Sequence, residues 1–306
     1  MTDEVRFTGE LLATEALGFR QLLAACRRGR WERVRRGAYV EPGDRDARRR
    51  HLLLIAATLP AIAPGSVVSH ASAAVLHGLP VRREELDRVW VTRERGGHGR
   101  KGAVLHLRHC RIEPDEVTAI GGVPVTTLER TAIDLARNGA IEWGVISCDA
   151  ALAGGLARSR LLDAAARASG WPGARRAERA ARFADGAAQS PLESVSRWQI
   201  HRLGFPAPVC QFQVMEHGRL VATSDFGWAE QRLVGECDGR VKYADLLQPG
   251  ELAADAVMRE KRREEAIRGA GYWVTRWGWA EAWSPGALKR VLDRAFELAP
   301  RQLAAS

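Results

Sequence analysis

The chain has 306 residues, enough for about two domains, and its 46 Lys and Arg against 37 Asp and Glu residues give a net charge of +9. A hydrophobic fraction of 46% excludes a disordered chain, and five cysteines without paired spacing argue against a zinc ribbon or a disulfide scaffold. The longest apolar run, residues 52–57, is too short to span a bilayer, and the acidic N-terminus lacks the apolar segment of a signal peptide, so we expect a soluble cytoplasmic protein that binds no membrane.

Two helices are predicted near the N-terminus, over residues 10–17 and 19–28, and each is followed by a glycine that can end it. The second helix has an apolar face at helical spacing, formed by Phe19, Leu22, Leu23 and Cys26. Two short strands are predicted next, around a turn at residues 35–37. A helix–turn–helix followed by a hairpin is a winged helix, in which one helix enters the major groove and the wing contacts the DNA backbone.

The same segment concentrates positive charge, since eleven arginines and four acidic residues lie between residues 20 and 50. Such a cluster attracts the phosphate backbone of double-stranded DNA, although a solvated arginine-rich surface would have the same composition. The arginines predicted to bind DNA lie on the second helix and the wing: Arg20, Arg27, Arg28, Arg33, Arg35 and Arg36.

Two stretches of this half resemble one family. The sequence RRGRWERVRRGAYV at residues 27–40 resembles the wing of AbiEi-family antitoxins, and SHASAAVLHGL at residues 69–79 is similar to the segment that follows the wing in that family. The resemblance implies a type IV toxin–antitoxin component whose winged helix represses its own operon. It also implies a cognate toxin as a partner.

Ser69 and His70 in the second stretch are adjacent, which raises the question of a hydrolase. Neighbours on a helix point about 100° apart, so we expect that the two side chains do not face each other and that Ser69 caps the helix. His70 and His77 are seven residues apart and are expected to pack within the fold.

The middle region, residues 51–187, is predicted to be mostly helical with one hairpin. Strands are predicted over residues 89–92 and 104–107, and the basic, glycine-rich loop between them is expected at a hairpin tip, with a second DNA contact as the alternative. Residues 126–129 read as a capping box that opens a helix through about Arg137. Asp134 and Asp149 are expected to be structural.

The C-terminal third begins with Ser190-Pro191-Leu192-Glu193, in which serine and glutamate occupy the capping-box positions of a helix. The rest of the region is predicted to form strands over residues 211–214, 220–226 and 233–237, a helix over residues 251–268 and a strand over residues 272–277.

Three acidic residues lie at the ends of two neighbouring predicted strands: Asp225, Glu236 and Asp238. Adjacent strands would bring these carboxylates together, where they repel one another unless a cation neutralises them. Carboxylate oxygens suit Mg²⁺ or Mn²⁺, so the three residues are the predicted metal ligands. The alternative is three exposed carboxylates at loop mouths.

The order helix–β–β–β–helix–β is that of the PD-(D/E)XK nuclease core. Residues 190–285 resemble the Vsr-like endonuclease branch on Asp225-Phe226, on Glu236-Cys237-Asp238-Gly239 with Lys242, and on GYWVTR at residues 271–276. The resemblance implies that Asp225, Glu236 and Asp238 hold the metal, that Lys242 positions water and that Glu193 adds a carboxylate. Nucleases of this class place a lysine two residues after the glutamate; here that residue is Asp238, which puts catalysis in doubt.

These observations predict an α/β (α+β) protein with three domains. They are a winged-helix DNA-binding domain at residues 1–50, an AbiEi-like region at 51–187 and, at 188–306, a small mixed sheet flanked by helices in a PD-(D/E)XK-like arrangement. The predicted function is that of a DNA-binding defence or toxin–antitoxin protein with a magnesium-dependent endonuclease domain. The alternatives are a non-catalytic repressor or antitoxin that uses a degenerate nuclease core for binding, and a scaffold that binds the toxin.

Overall fold

The computed structural model describes residues 5–15, 18–94, 99–238 and 253–300. The strands are β1 (Arg6–Phe7), β2 (Glu32–Arg35), β3 (Ala38–Val40), β4 (Val67–Val68), β5 (Val89–Arg93), β6 (Arg100–Lys101), β7 (Leu105–His109), β8 (Val117–Ile120), β9 (Val123–Thr126), β10 (Val209–Glu216), β11 (Arg219–Trp228), β12 (Leu233–Cys237) and β13 (Trp273–Trp277). The helices are α1 (Thr8–Thr14), α2 (Phe19–Arg27), α3 (Ala47–Thr58), α4 (His70–His77), α5 (Leu128–Arg137), α6 (Ile141–Ala153), α7 (Arg158–Arg167), α8 (Ala174–Phe183), α9 (Pro191–Arg202), α10 (Ala253–Gly269), α11 (Trp279–Ala282) and α12 (Pro285–Leu298). The protein is therefore α/β, with parallel and antiparallel strand pairs. No helix within the described ranges is long and apolar enough to cross a bilayer.

The chain divides into two compact units. The first comprises residues 1–140 and 156–181, and the second comprises residues 141–155 and 182–306. The sequence placed α6 in the middle region, whereas it belongs to the second unit, where its Ile146 shares a core with α9. Because α6 is buried along most of its length, its sequence has no single apolar face that would indicate its packing partner.

The first unit contains a three-stranded antiparallel sheet in the order β1-β3-β2 and a six-stranded mixed sheet in the order β6-β7-β5-β4-β9-β8. In the larger sheet β5 and β7 run parallel, with Val89 opposite Leu105. The hairpin predicted from these two strands is therefore wrong: the segment between them crosses over and adds β6, which pairs antiparallel with β7. Alternating apolar residues identify a strand but not the direction in which it pairs, which is why the sequence did not separate the two arrangements.

The second unit contains a four-stranded sheet in the order β10-β11-β12-β13, in which only the β12–β13 pair is parallel among the described strands. One face of the sheet packs against α9 and α12 through residues such as Phe226 and Leu288. The other face packs against α10 through Val234 and Ile267. The sheet is thus covered by helices on both sides, as burial of both faces requires.

The two aspartates expected to be structural each bind a buried arginine. Asp134 accepts a hydrogen bond from Arg130 Nε at 3.0 Å in the first unit. Asp149 accepts hydrogen bonds from Arg197 Nη2 at 2.9 and 3.0 Å in the second unit. Arg130 also donates to the buried carboxylate of Glu116 at 2.6 Å, which joins α5 to the turn before β8, and the Arg197–Asp149 pair joins α9 to α6. Buried charges need such partners, so these contacts hold the helices in place.

Candidate nucleic-acid interface and carboxylate cluster

The N-terminal elements lie close to the positions predicted for them. The two helices are observed at residues 8–14 and 19–27, and β2 and β3 flank the turn at Arg36 and Gly37. Gly29 has a φ of +74°, the left-handed conformation that ends α2. β1 pairs with β3, which places the hairpin and the two helices in one small module.

Helix α2 buries a narrower face than its sequence suggested. Leu22 and Ala25 pack with Leu11, Trp31 and Tyr39 in the core of the module. Phe19 was expected on this face, but its side chain is 55% exposed because it lies in the first turn, at the edge of the contact. The arginines Arg20, Arg27 and Arg28 are exposed.

The three predicted wing arginines have different surroundings. Arg33 and Arg36 are exposed. Arg35 is half-buried, and its Nη1 donates a hydrogen bond to the backbone oxygen of Ala57 in α3 at 3.4 Å. Arg35 thus joins the wing to α3, whereas Arg33 and Arg36 face solvent.

The prediction that Ser69 and His70 do not face each other is wrong. Ser69 Oγ and His70 Nδ1 lie 3.0 Å apart, since Ser69 is extended and His70 has a φ of +49° at the start of α4. Ser69 occupies the N-cap position, but its side chain makes no capping hydrogen bond; its hydroxyl instead accepts one from Thr92 Oγ1 at 2.7 Å. Both residues are buried, and burial lowers the pKa of His70 to about 4. This is a buried polar network inside the fold, and His77 similarly binds the backbone oxygen of Thr126.

Glu193 occupies the capping-box position predicted for it at the start of α9. Its carboxylate accepts hydrogen bonds from the hydroxyl of Ser190 at 2.8 Å and from the backbone nitrogen of Gln189 at 2.9 Å. Gln211 on β10 donates a third, at 3.0 Å. Glu193 is buried, and these bonds already account for its structural role in tying the helix to the sheet.

Asp225 lies on β11 immediately before Phe226, which pairs with Gly235 of β12. Its Oδ2 accepts a hydrogen bond from the backbone nitrogen of Cys237 at 2.7 Å, so the side chain binds the strand that carries Glu236. Burial raises the pKa of Asp225 to about 6, and the charges of Glu193 and Glu236 act in the same direction. The two strands therefore place Asp225 and Glu236 close enough for their charges to interact.

Glu236 is 8% exposed and is held by two arginines that the sequence analysis gave no role. Arg263 on α10 donates to its Oε1 at 2.6 Å, and Arg276 on β13 donates to its Oε2 from Nη2 at 3.1 Å and from Nε at 3.2 Å. Burial by itself would raise the pKa of Glu236, but hydrogen bonds and charge from Arg263 and Arg276 lower it below its usual value. Guanidinium groups thus neutralise the carboxylate for which a metal cation was expected.

Asp238 is exposed at the end of β12, where its backbone nitrogen donates to the oxygen of Trp277 at 2.8 Å. Lys242, the predicted water-positioning residue, lies outside the described residues. Among the residues that the structure describes, no group of three or more His, Cys, Asp or Glu side chains is arranged to hold a metal ion. The geometry thus joins Asp225 and Glu236 with Arg263 and Arg276, without adding Asp238.

No family model matches the chain. Two proteins from two strains of Mycobacterium tuberculosis, both described as uncharacterized, are each 31% identical to it over 146 residues. That alignment covers 47% of this chain and 53% of each relative, so the chain spans about half the length of the curated relatives it matches.

Proposed function

We propose that this protein binds double-stranded DNA through its N-terminal module, with α2 in the major groove and the β2–β3 hairpin as the wing. The observation that supports this most directly is the distribution of side chains on these elements. Five of the six arginines expected to bind DNA are exposed, namely Arg20, Arg27, Arg28, Arg33 and Arg36, while Leu22 and Ala25 of α2 face the core. Exposed guanidinium groups on a helix and a wing are suited to phosphate contacts.

The test is the affinity of the full chain for duplex DNA, measured by fluorescence anisotropy over a range of salt concentrations. Each phosphate contact contributes about 0.9 to the log–log salt slope. We expect Arg33→Ala/Arg36→Ala to reduce the slope by up to about 2 and to weaken binding of unrelated sequences equally.

The matched control is Arg290→Ala/Arg294→Ala, which removes two exposed positive charges from α12. A slope that falls equally in the control and in the wing variant would mean that net charge alone governs binding, and it would contradict the proposal. An unchanged slope in the wing variant would contradict it too.

A second candidate function is hydrolysis of DNA phosphodiesters by the second unit. It is favoured by the order α9-β10-β11-β12-α10-β13 and by the proximity of Asp225 to Glu236 on adjacent strands. Carboxylate oxygens are the donors that Mg²⁺ or Mn²⁺ takes, and Asp225 and Glu236 would hold the ion. Bound there, an ion would supply polarisation of the scissile phosphate and activation of water. The arginine contacts of Glu236 would have to loosen for its oxygens to bind an ion.

Cleavage of supercoiled plasmid with Mg²⁺ or Mn²⁺ tests this candidate, with Asp225→Ala as the inactive variant. A metal ion bound to the folded state should also raise its stability by about 2.7 kcal/mol at a hundredfold excess over Kd. If the full chain shows neither cleavage nor metal-dependent stabilisation, the nuclease is excluded and a non-catalytic repressor or antitoxin is favoured.

The repressor alternative includes a cognate toxin. Either the second unit would bind the toxin itself, or the protein would repress an operon that it shares with the toxin. As a nuclease or as a repressor, the protein would act in the cytoplasm, where its DNA would be. Co-purification with the product of a neighbouring gene would support the antitoxin role, and its absence alongside DNA cleavage would favour the nuclease.

A further inference from the structure

A cleft of about 300 Å³ lies beside the wing in the first unit. It is bounded by β2 of the wing, by α3 and by the 3₁₀ turn Arg83–Glu85. Apolar side chains such as Val34 and Leu54 form part of its lining, and arginines from all three elements reach it: Arg33 from β2, Arg50 from α3 and Arg83 from the turn. A second, more open hollow of about 530 Å³ shares Arg50 and Arg83 with the cleft.

Neighbouring arginines in this region have evident structural roles. Arg45 donates to the backbone oxygen of Glu41 at 2.8 Å and contacts the carboxylate of Glu32 at 3.4 Å. Arg48 donates to the backbone oxygens of Val75 and Leu79. These bonds join the wing, α3 and α4, so the side chains of Arg45 and Arg48 are committed to holding the fold.

Arg33, Arg50 and Arg83 are different. All three are exposed, and within the described ranges none of their guanidinium groups has a hydrogen-bond or ion-pair partner. Two acids also line the cleft, but Glu32 is already bound by Arg45, which leaves Asp87 against three unpaired positive charges. Like charges that share a cleft repel, and a bound anion would remove that repulsion.

We propose that this cleft binds a phosphate group, held by the guanidinium groups of Arg33, Arg50 and Arg83. Guanidinium presents paired N–H donors that match phosphate oxygens, and three of them from separate elements can surround one tetrahedral group. The phosphate can come from the DNA backbone or from a free phosphate ester.

The position of the cleft connects it to the wing. Arg33 belongs both to the proposed DNA-contacting wing and to the cleft lining. If the phosphate comes from DNA, the inference rests on the proposed function and extends the DNA surface from the wing to α3 and the 3₁₀ turn. If it comes from a free ester, the ester and DNA compete for Arg33, and each lowers the affinity for the other by the same factor.

The experiment compares the full chain with Arg50→Ala/Arg83→Ala, leaving Arg33 intact so that the wing is not altered. Arg290→Ala/Arg294→Ala is the control with the same loss of charge, and Arg50→Lys/Arg83→Lys keeps the charge without the guanidinium. The first arm measures duplex DNA affinity against salt. The second measures binding of inorganic phosphate and of ATP by calorimetry, with circular dichroism to verify folding.

A salt slope reduced by about 1–2 in the alanine variant, with the control unchanged and the lysine variant intermediate, identifies DNA as the source. Loss of ATP or phosphate binding in the alanine variant, with an unchanged DNA slope, identifies a free ester. If the alanine variant matches the control in both arms, the inference is overturned. The single variant Arg36→Ala then decides the proposed function separately, because Arg36 lies on the wing but does not line the cleft.

Discussion

Replacing Asp225 by asparagine should stabilise the protein at neutral pH. Asp225 is partly buried near Glu193 and Glu236, and its pKa is raised from 3.8 to about 6. A carboxyl group with a raised pKa in the folded state favours folding while it is protonated and opposes folding once it is ionised. Asparagine has a similar shape and can still accept the hydrogen bond from Cys237 through its amide oxygen.

The size of the effect follows from the pKa change. The shift corresponds to about 3 kcal/mol at about 1.36 kcal/mol per pKa unit, and partial exposure to solvent reduces the expected gain to about 1–2 kcal/mol. The size of the wild type's stability deficit depends on pH. Below about pH 4 the aspartate is protonated in both states and the wild type has no deficit, whereas the deficit grows as pH rises from about 4 to 6 and is constant above that.

The assay is urea unfolding of wild type and Asp225→Asn at several pH values between 4 and 7, in the presence of EDTA. The difference in the free energy of unfolding should widen with pH. Asp225→Ala serves as the comparison, since it removes the charge and also the acceptor for Cys237, and it should be less stable than the asparagine variant. A difference that is flat with pH, or that narrows as pH rises, would refute the reasoning.

Three further substitutions test contacts in the two units, each by urea unfolding. Glu236→Gln should lower the free energy of unfolding by about 1 kcal/mol, because Arg263 and Arg276 lose one carboxylate but keep their ion pairs with Glu260 and, for Arg276, with Glu264. Wild-type stability would show that these two acids satisfy both arginines. Gly170 and Gly173 both have a φ of +81°, but only at Gly173 would a Cβ overlap the last carbonyl group of α5. Gly170→Ala should therefore cost about 1 kcal/mol and Gly173→Ala at least about 2 kcal/mol, and equal losses would contradict the close approach.

The predicted element positions near the N-terminus and in the C-terminal third agree well with the structure. Gly18 precedes the first residue of α2, Gly29 follows its end and Gly37 lies in the turn between β2 and β3, while alternating apolar residues mark β11 and β12. Such local signals depend on a few neighbouring residues, which is why a single sequence contains them.

The features that sequence reasoning missed depend on contacts between distant residues. Arg263 and Arg276 lie 27 and 40 positions from Glu236. In the observed register Arg276 faces Glu236 across a parallel pair, and a parallel register cannot be read from either strand alone. The contact between the neighbours Ser69 and His70 was missed for a different reason, since it depends on the positive φ of His70, which helical geometry did not anticipate.

Hydrogen exchange shows whether α2 and the β2–β3 wing form the proposed DNA-binding surface. Exchange of the full chain, followed by mass spectrometry, should be compared with and without saturating duplex DNA at low salt. We expect slower exchange in peptides that cover residues 19–28 and 32–36, with no change in α12. Slower exchange confined to peptides outside those two segments, or no change anywhere under conditions where DNA is bound, would contradict it.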